Sequence, residues 1–387
     1  MTRPRGQIVL VILSATLTGI MGNTLIAPSI PDILDDFDVG DGGAGLIIAA
    51  TSFPGIFLAP VIGLLADRYG RRNLLVPCML LFGSAGLVVA AAPSFSVLLL
   101  GRFGMGIGAA GLINLGVVLI GDHWEGEQRV RLIGRNAAFL TAMVALLPPI
   151  GGAIAQAFGW RAALLPYSLA IPFAAFAWFT LDSRRPGTVV GVREQLRGVG
   201  AVIRRPDMVA VFMGGMLLFV LIFGAFLAAF PIHLEEQFGY EVGLRGLFLA
   251  IPAIPSTLAA FNVQRLRGRF GTRGLLITSG VLLTIGFLLV GTVQTAGLFA
   301  LGTFIYGFGE GTTMPLLQNY AVSTASAETR GAVMAVFVSS TRLGQTIGPL
   351  GAAAIFEATS TSTALLVGAG VAALLTALFV LGPFRSD

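Results

Sequence analysis

A run of about twenty apolar residues recurs along this chain from end to end, and each run is long enough to cross a bilayer as an α-helix. Such a helix satisfies its backbone hydrogen bonds internally, which lipid requires. With 55% hydrophobic residues and a mean hydropathy of +0.88, the chain does not have the composition of a water-soluble globule. The sequence predicts an all-α integral membrane protein of twelve transmembrane helices, over 7–30, 43–66, 74–92, 95–121, 132–157, 161–181, 208–232, 243–264, 274–294, 296–321, 331–356 and 361–383.

The basic residues set the expected topology. All 24 are arginines; twenty fall on one side of the predicted membrane and only Arg161 and Arg245 on the other. The positive-inside rule places the arginine-rich side, with both termini, in the cytoplasm, so we expect a multi-pass protein of the inner (plasma) membrane. The basic charge then meets lipid headgroups, and no nucleic-acid partner is expected. One cysteine, Cys78, and two histidines predict neither an intramolecular disulfide nor a metal site, and no cofactor is expected.

The two halves of the sequence repeat at an offset of about 201 residues. Thus "RYG" at 68–70 matches "RFG" at 269–271, and "LGRFGMGIG" at 100–108 matches "LGTFIYGFG" at 301–309. Six spans in each repeat predict two pseudo-symmetric six-helix bundles related by an axis along the membrane normal. The predicted division is an N-terminal bundle over 1–181, a polar cytoplasmic linker over 182–207 and a C-terminal bundle over 208–387.

Several motifs carry a family resemblance over the whole chain. The segment "GLLADRYGRR" resembles the loop 2–3 signature of the major facilitator superfamily, through Gly63, Asp67, Arg68, Gly70, Arg71 and Arg72. "RFGMG" at 102–106 resembles the fourth-span motif. "PPIGG" resembles the fifth-span antiporter motif through Pro148, Gly151 and Gly152, with Leu147 where its first glycine belongs. Together with "GWR" at 159–161 and "APSIP" at 27–31, these motifs resemble the twelve-span drug:proton antiporter branch. The resemblance implies the major facilitator fold, rocker-switch alternating access and a monomer.

The resemblance also implies a cytoplasmic gate. In the family, the carboxylate at the position of Asp67 caps the N-terminus of span 11, where unpaired N–H groups carry a partial positive charge. The arginine at the position of Arg71 pairs with an acid at the end of span 4, which is Asp122 here. The second half has Gly268 in place of Asp67. The alternative is a solvated corner in which the arginines only hold topology, the role expected for Arg68 and Arg72.

Three charged residues lie within the predicted spans. Glu310 is about 14 residues, or roughly 20 Å, into span 10, near the bilayer centre where an ionised carboxylate is costly. It is a candidate for binding protons or a cationic substrate, the alternative being a permanently paired structural glutamate. Arg342 in span 11 is expected to pair with Glu310 or to hold an anionic substrate group, with Gln345 on the same helix face. Arg102 in span 4 takes part either in proton exchange or in structure.

Other buried polar and aromatic groups are candidates for cavity lining or for bonds between helices: Asn23, Asn114, Asn136, Gln345 and Phe223. Asp32, at the outer end of span 1, is expected to be a solvated cap. The pattern "GIGAAG" at 106–111 matches a dinucleotide motif but lies inside an apolar helix, so we interpret its glycines as close-packing positions. No nucleophile–base set is visible, so no enzyme and no catalytic residue is expected.

The leading functional hypothesis is proton-coupled export of hydrophobic or amphipathic small molecules, with small-molecule substrate, protons and lipids as partners. The alternative is an uptake symporter or exchanger for a defined metabolite, such as an organic anion bound by a membrane-buried arginine. A non-transporting receptor or scaffold is a third hypothesis, which the intact loop 2–3 signature disfavours. The chain contains no lysine, so a Walker A motif driving transport by ATP is excluded.

Overall fold

The computed structural model describes residues 5–182, 200, 202, 204–325 and 330–384, and these residues form helices joined by short loops. The α-helices are Arg5–Thr24, Ile30–Asp36, Gly43–Tyr69, Arg71–Ala90, Phe95–Ala109, Leu112–His123, Gly126–Phe158, Trp160–Leu164, Ala170–Thr180, Pro206–Val220, Phe230–Phe238, Val242–Ala250, Ala253–Thr292, Ala296–Ser323, Arg330–Ala358 and Thr361–Leu381. Short 3₁₀ turns at Ala27–Ser29 and Leu165–Leu169 and a π-helix at Leu221–Ala229 complete spans 1, 6 and 7.

The predicted twelve-helix architecture is confirmed. Within the described residues, nine helices are long and apolar enough to cross a membrane by length and composition. One of them, Val242–Thr292, is 51 residues long and contains both span 8 and span 9. Spans 10 and 11 are the helices Ala296–Ser323 and Arg330–Ala358. The predicted linker, 182–207, lies largely outside the described residues, and the helix of span 7 begins at Pro206.

The sequence repeat has a structural counterpart at the corner between the second and third span of each half. Gly70 joins spans 2 and 3 with φ 93° and ψ 148°, and Gly271, 201 positions later, joins spans 8 and 9 with φ 69° and ψ 165°. This left-handed backbone is strained for any residue with a Cβ, so both corners require glycine. The "RYG" and "RFG" matches therefore mark the same turn in the two halves.

The arginine two residues after each corner glycine forms the same kind of contact in both halves. Arg72 donates to the carbonyl oxygen of Leu181, at the end of span 6, and its guanidinium stacks 4.3 Å from the ring centroid of Trp178. Arg273 donates to the carbonyl oxygen of Val380, near the end of span 12. Each arginine thus ties the third span of its half to the last one.

The halves meet unevenly along the membrane normal. We call the side that carries Arg5 and Leu381 the terminus side, and the side that carries the loop 37–42 the far side. Span 5 packs against the far-side turns of span 8, Val242–Ala250, and makes few contacts with the remainder of that span. Spans 2 and 11 also pack closely toward the far side, where a Cβ at Gly45 would lie 2.6 Å from the Pro349 carbonyl oxygen. The halves are therefore closed on the far side, and spans 5 and 8 separate toward the terminus side.

Candidate functional site

Arg342 lies between the two halves, about halfway along span 11. Its NH1 group donates to Gln345 Oε1 over 2.9 Å, one turn further along the same helix. Its side chain reaches Gly55 of span 2, where a Cβ would lie 3.1 Å from Arg342 Cδ and 3.2 Å from Nε. The absence of a side chain at Gly55 leaves room for the guanidinium at the interface of the halves, and Arg342 remains half-buried there.

Glu310 occupies a separate polar site between spans 8 and 10. Its Oε2 accepts a hydrogen bond from Ser256 Oγ over 2.6 Å, and the residue is half-buried. One turn earlier, Tyr306 is buried, and its ring stacks 5.0 Å from that of Phe226. Of the two alternatives for Arg342, the ion pair with Glu310 does not form in this structure among the described residues, because the Glu310 carboxylate bonds to span 8 whereas Arg342 extends toward span 2.

Arg102 is fully buried among backbone and amide acceptors. Its Nε donates to the Ile47 carbonyl oxygen over 3.0 Å, and its NH1 and NH2 groups donate to the Gly22 carbonyl oxygen and to Asn23 Oδ1. Tyr167 donates to the same Gly22 carbonyl oxygen over 2.9 Å. The guanidinium therefore ties span 4 to spans 1 and 2, next to Tyr167 of span 6. No carboxylate pairs with it among the described residues, and this geometry favours the structural alternative for Arg102.

The other polar candidates occupy different environments. Asn136 is buried and accepts a hydrogen bond from Thr16 Oγ1 over 2.8 Å, so it joins spans 1 and 5 rather than lining a cavity. Asn23 belongs to the Arg102 cluster, whereas Asn114 is exposed on span 4. Phe223 is half-buried within the π-helix of span 7, and its ring stacks 5.8 Å from that of Phe219. Of this set, Gln345 is the residue that hydrogen-bonds to Arg342 among the described residues.

A charged cluster connects the halves on the far side. Arg245 of span 8 is 1% exposed, and its NH2 group donates to Asp32 Oδ2 of span 1 over 2.6 Å. Its NH1 group lies 2.9 Å from Glu235 Oε1 of span 7, an ion pair without the alignment of a hydrogen bond. Asp32 is therefore not only the solvated cap that the sequence predicts: its carboxylate stays partly exposed but pairs with a buried arginine of the other half. A buried cation is costly unless an anion or hydrogen bonds compensate its charge, and Arg245 has one carboxylate partner in each half.

The antiporter-like motif lies in the same far-side interface. A Cβ at Gly152 would lie 2.6 Å from the Val242 carbonyl oxygen, and one at Gly246 would lie 2.5 Å from the Pro148 carbonyl oxygen. Gly151 packs as closely against the Leu25 carbonyl oxygen of span 1. The motif thus supplies small residues that let spans 5 and 8 touch along their backbones.

A polar contact between the halves lies near this motif. Gln156 of span 5 donates to Glu241 Oε2, next to the start of span 8, over 2.6 Å.

The residues of the predicted cytoplasmic gate lie on the terminus side. Arg71 Nε donates to Asp122 Oδ2 over 2.9 Å, which joins spans 3 and 4 within the first half. Arg68 is exposed and lies over the ring of its neighbour Tyr69. Gly63 and Asp67 lie in the helix of span 2, but their side-chain environment is outside the described part of the structure. The role of Asp67 therefore stays a prediction.

Sequence reasoning missed the roles of Arg245 and Ser256 and the π-helix of span 7. One signal for Arg245 was available: it is one of only two arginines that the sequence places on the far side. Ser256 carries no such signal, because a serine in an apolar helix usually bonds to its own backbone. The π-helix brings Gly224 against the backbone of Gly348 in span 11.

Comparison with known proteins agrees with this architecture. A family model described as Major Facilitator Superfamily matches residues 12–265 and 212–386, which together span nearly the whole chain. This chain belongs to the major facilitator superfamily. It is accordingly a multi-pass membrane protein of a family of transporters.

The chain is similar to named transporters at low sequence identity. It is 24% identical over 348 residues to the bacillibactin exporter of Bacillus subtilis (strain 168), covering 87% of this chain and 86% of that protein. It is 27% identical over 380 residues to the class C tetracycline resistance protein of Escherichia coli, covering 94% and 93%. The resemblance to the drug:proton antiporter branch is thereby confirmed.

A solved structure shares the fold. It is that of a bacterial homologue of the human lysosomal transporter Spinster, in an inward-facing and unoccupied conformation. The TM-score is 0.81 at 16% identity, over 98% of this chain and 97% of that one. This similarity shows the fold alone. The closed far side and the separation of spans 5 and 8 are observed in this chain itself.

Proposed function

We propose that this protein exports hydrophobic or amphipathic small molecules across the inner membrane in exchange for protons, by rocker-switch alternating access. The observation that carries the proposal is Glu310. It is an acid in the middle of span 10 that is half-buried, accepts a hydrogen bond from Ser256 and pairs with no basic side chain among the described residues. A membrane-buried acid with one neutral partner is suited to taking up and releasing a proton, because the charged form is costly there.

The contacts between the halves support the alternating-access part of the proposal. The interface on the far side consists of close backbone packing and a few polar contacts, notably the Arg245–Asp32 ion pair. Such an interface can separate as a unit while each half keeps its internal contacts. With the termini in the cytoplasm, as the arginine distribution predicts, the described conformation opens inward. The relative named as a bacillibactin exporter makes outward movement of the substrate the proposed direction.

The experiment that tests this proposal is transport in proteoliposomes with an imposed pH gradient, using ethidium as a lipophilic cation and 2-naphthoate as an organic anion. Proton-driven flux of at least one probe is expected in the wild type, and Glu310→Gln is expected to abolish the coupling. Glu127→Gln is the matched control, because Glu127 is exposed and its ion pair with Arg131 precedes the predicted span 132–157. Coupled flux that survives Glu310→Gln contradicts the proposal.

The second candidate function is uptake or exchange of a defined organic anion. It is favoured by Arg342, a cation between the halves with no carboxylate partner among the described residues, and by Leu147 in place of the motif's first glycine. The direction of flux separates the two candidates: accumulation of 2-naphthoate inside right-side-out vesicles under an inward proton gradient supports uptake, and its expulsion supports export.

A further inference from the structure

We infer that Arg342 binds an anionic group of the transported molecule, so that the substrate is an amphipathic anion such as a carboxylate with an apolar body. The inference rests on the proposed transport function and names the substrate class of its central site. It holds for either direction of flux.

Two arginines within the spans differ in how their charge is compensated. Arg102 donates to three acceptors on two other spans and is fully buried. Arg342 donates to one neutral acceptor, Gln345, and remains half-buried. A cation inside a membrane protein is costly unless hydrogen bonds or an anion compensate its charge. The charge of Arg102 is compensated by acceptors on spans 1 and 2, whereas Arg342 retains N–H donors that a ligand can use.

The position of Arg342 suits a transported ligand. The side chain belongs to the second half and lies against Gly55 of the first. An anion on the guanidinium therefore lies at the interface of the halves and contacts the surfaces that move relative to each other. The acid of the proposed proton site, Glu310, bonds to span 8, so the substrate anion and the proton occupy different positions.

The geometry and charge of the guanidinium favour one chemical class of ligand, a carboxylate. Its planar fork presents parallel N–H donors that match a carboxylate bidentately, and hydrogen bonds between two charged groups are stronger than neutral ones. With NH1 engaged by Gln345, Nε and NH2 can provide the two donors. A neutral amide of the same shape makes a weaker contact, and an ammonium is repelled.

The test is equilibrium dialysis of the purified full-length protein with three matched probes: 2-naphthoate, 2-naphthamide and 2-naphthylmethylammonium. The wild type is expected to bind 2-naphthoate about 10-fold or more tightly than 2-naphthamide, the size of effect that one charge-assisted contact provides. Arg342→Gln is expected to remove this preference and to leave 2-naphthamide binding unchanged. Arg269→Gln is the control, because it removes the same charge from an exposed position and is expected to keep the preference.

A second variant covers the case in which Arg342→Gln does not fold. Gly55→Val adds a Cβ 3.1 Å from Arg342 Cδ and 3.2 Å from Nε, with two further methyl groups, and should displace the guanidinium and lower the carboxylate-to-amide binding ratio. The inference is overturned if the wild type shows no preference for the carboxylate, or if the preference survives in whichever of the two variants folds. The assay needs no gradient and no flux, so loss of proton coupling in Glu310→Gln and loss of carboxylate preference are separate results.

Discussion

On the far side of the molecule, Arg245 of the second half contacts Asp32 of the first, whereas on the terminus side Arg71 contacts Asp122 within the first half. Arg72 and Arg273 likewise bond to carbonyl oxygens of their own halves. The Arg245–Asp32 pair therefore resists separation of the halves, and these terminus-side contacts stabilise each half as a unit. A transporter with this arrangement changes conformation by breaking the first kind of contact and keeping the second.

The largest expected effect comes from removing the buried cation of the far side. Arg245→Ala leaves Asp32 and Glu235 without their shared partner and should destabilise the far-side-closed state by about 2–4 kcal/mol, below the full cost of a buried pair because both carboxylates are partly solvated. Spin labels at the exposed positions Asp38 and Gln237, with Cys78 replaced by serine, should report longer distances across the far side.

The other far-side arginine supplies the control for that comparison. Arg161 pairs with Asp36 over 2.8 Å within the first half, and both side chains are more than two-fifths exposed. An exposed pair contributes about 0–1 kcal/mol, so Arg161→Ala should leave the distance distribution unchanged. Equal shifts in the two variants would show that the location of Arg245 between the halves has no special effect.

The next largest effect is expected from a methyl group in the packed part of span 5. Gly152→Ala directs a Cβ at the Val242 carbonyl oxygen and should destabilise far-side closure by about 1–3 kcal/mol, the usual cost of overpacking. Gly134→Ala, in the terminus-side part of the same helix, meets no atom within 4 Å and should instead stabilise the helix by about 0.5–1 kcal/mol. Thermal unfolding together with the same spin-label distances would separate the two outcomes.

These variants also show where sequence reasoning succeeds and where it stops. The spans follow from apolar runs, and the corner glycines Gly70 and Gly271 follow from the repeat, because both signals are local or periodic. The Arg245–Asp32 pair joins residues 213 positions apart in different halves, and no periodicity connects them. The carbonyl acceptors around Arg102 are equally hidden, because every residue has a carbonyl and only the packing decides which ones converge.

A smaller effect, confined to rate, is expected at the predicted gate. Asp67→Asn should slow transport several-fold and leave thermal stability near the wild-type value, because the proposed cap on span 11 forms when the terminus side closes. Asn retains a hydrogen-bond acceptor, so the variant removes charge more than shape. A wild-type transport rate in Asp67→Asn would contradict the gate.

The smallest effect is a pH dependence of far-side closure. Burial, together with the negative charges of Glu236, Asp35 and Glu357, raises the pKa of Asp41 in the far-side loop above its ordinary value of 3.8. Protonation is thus easier in the closed state, so closure should be favoured as the pH falls through the raised pKa and lose this contribution as the pH rises. Asp41→Asn should flatten the dependence of the spin-label distances on pH; an unchanged pH profile would exclude Asp41 as its source.

The most direct test of the account is to lock the far side and measure transport. Gln156 and Glu241 contact each other across the halves over 2.6 Å. In a variant with Cys78 replaced by serine, cysteines at both positions can be joined by a short bis-methanethiosulfonate reagent, and Gln156→Cys alone serves as the control. The account predicts that the cross-linked protein stops transporting and recovers when the link is reduced. Transport at the uncross-linked rate with the link intact would contradict it.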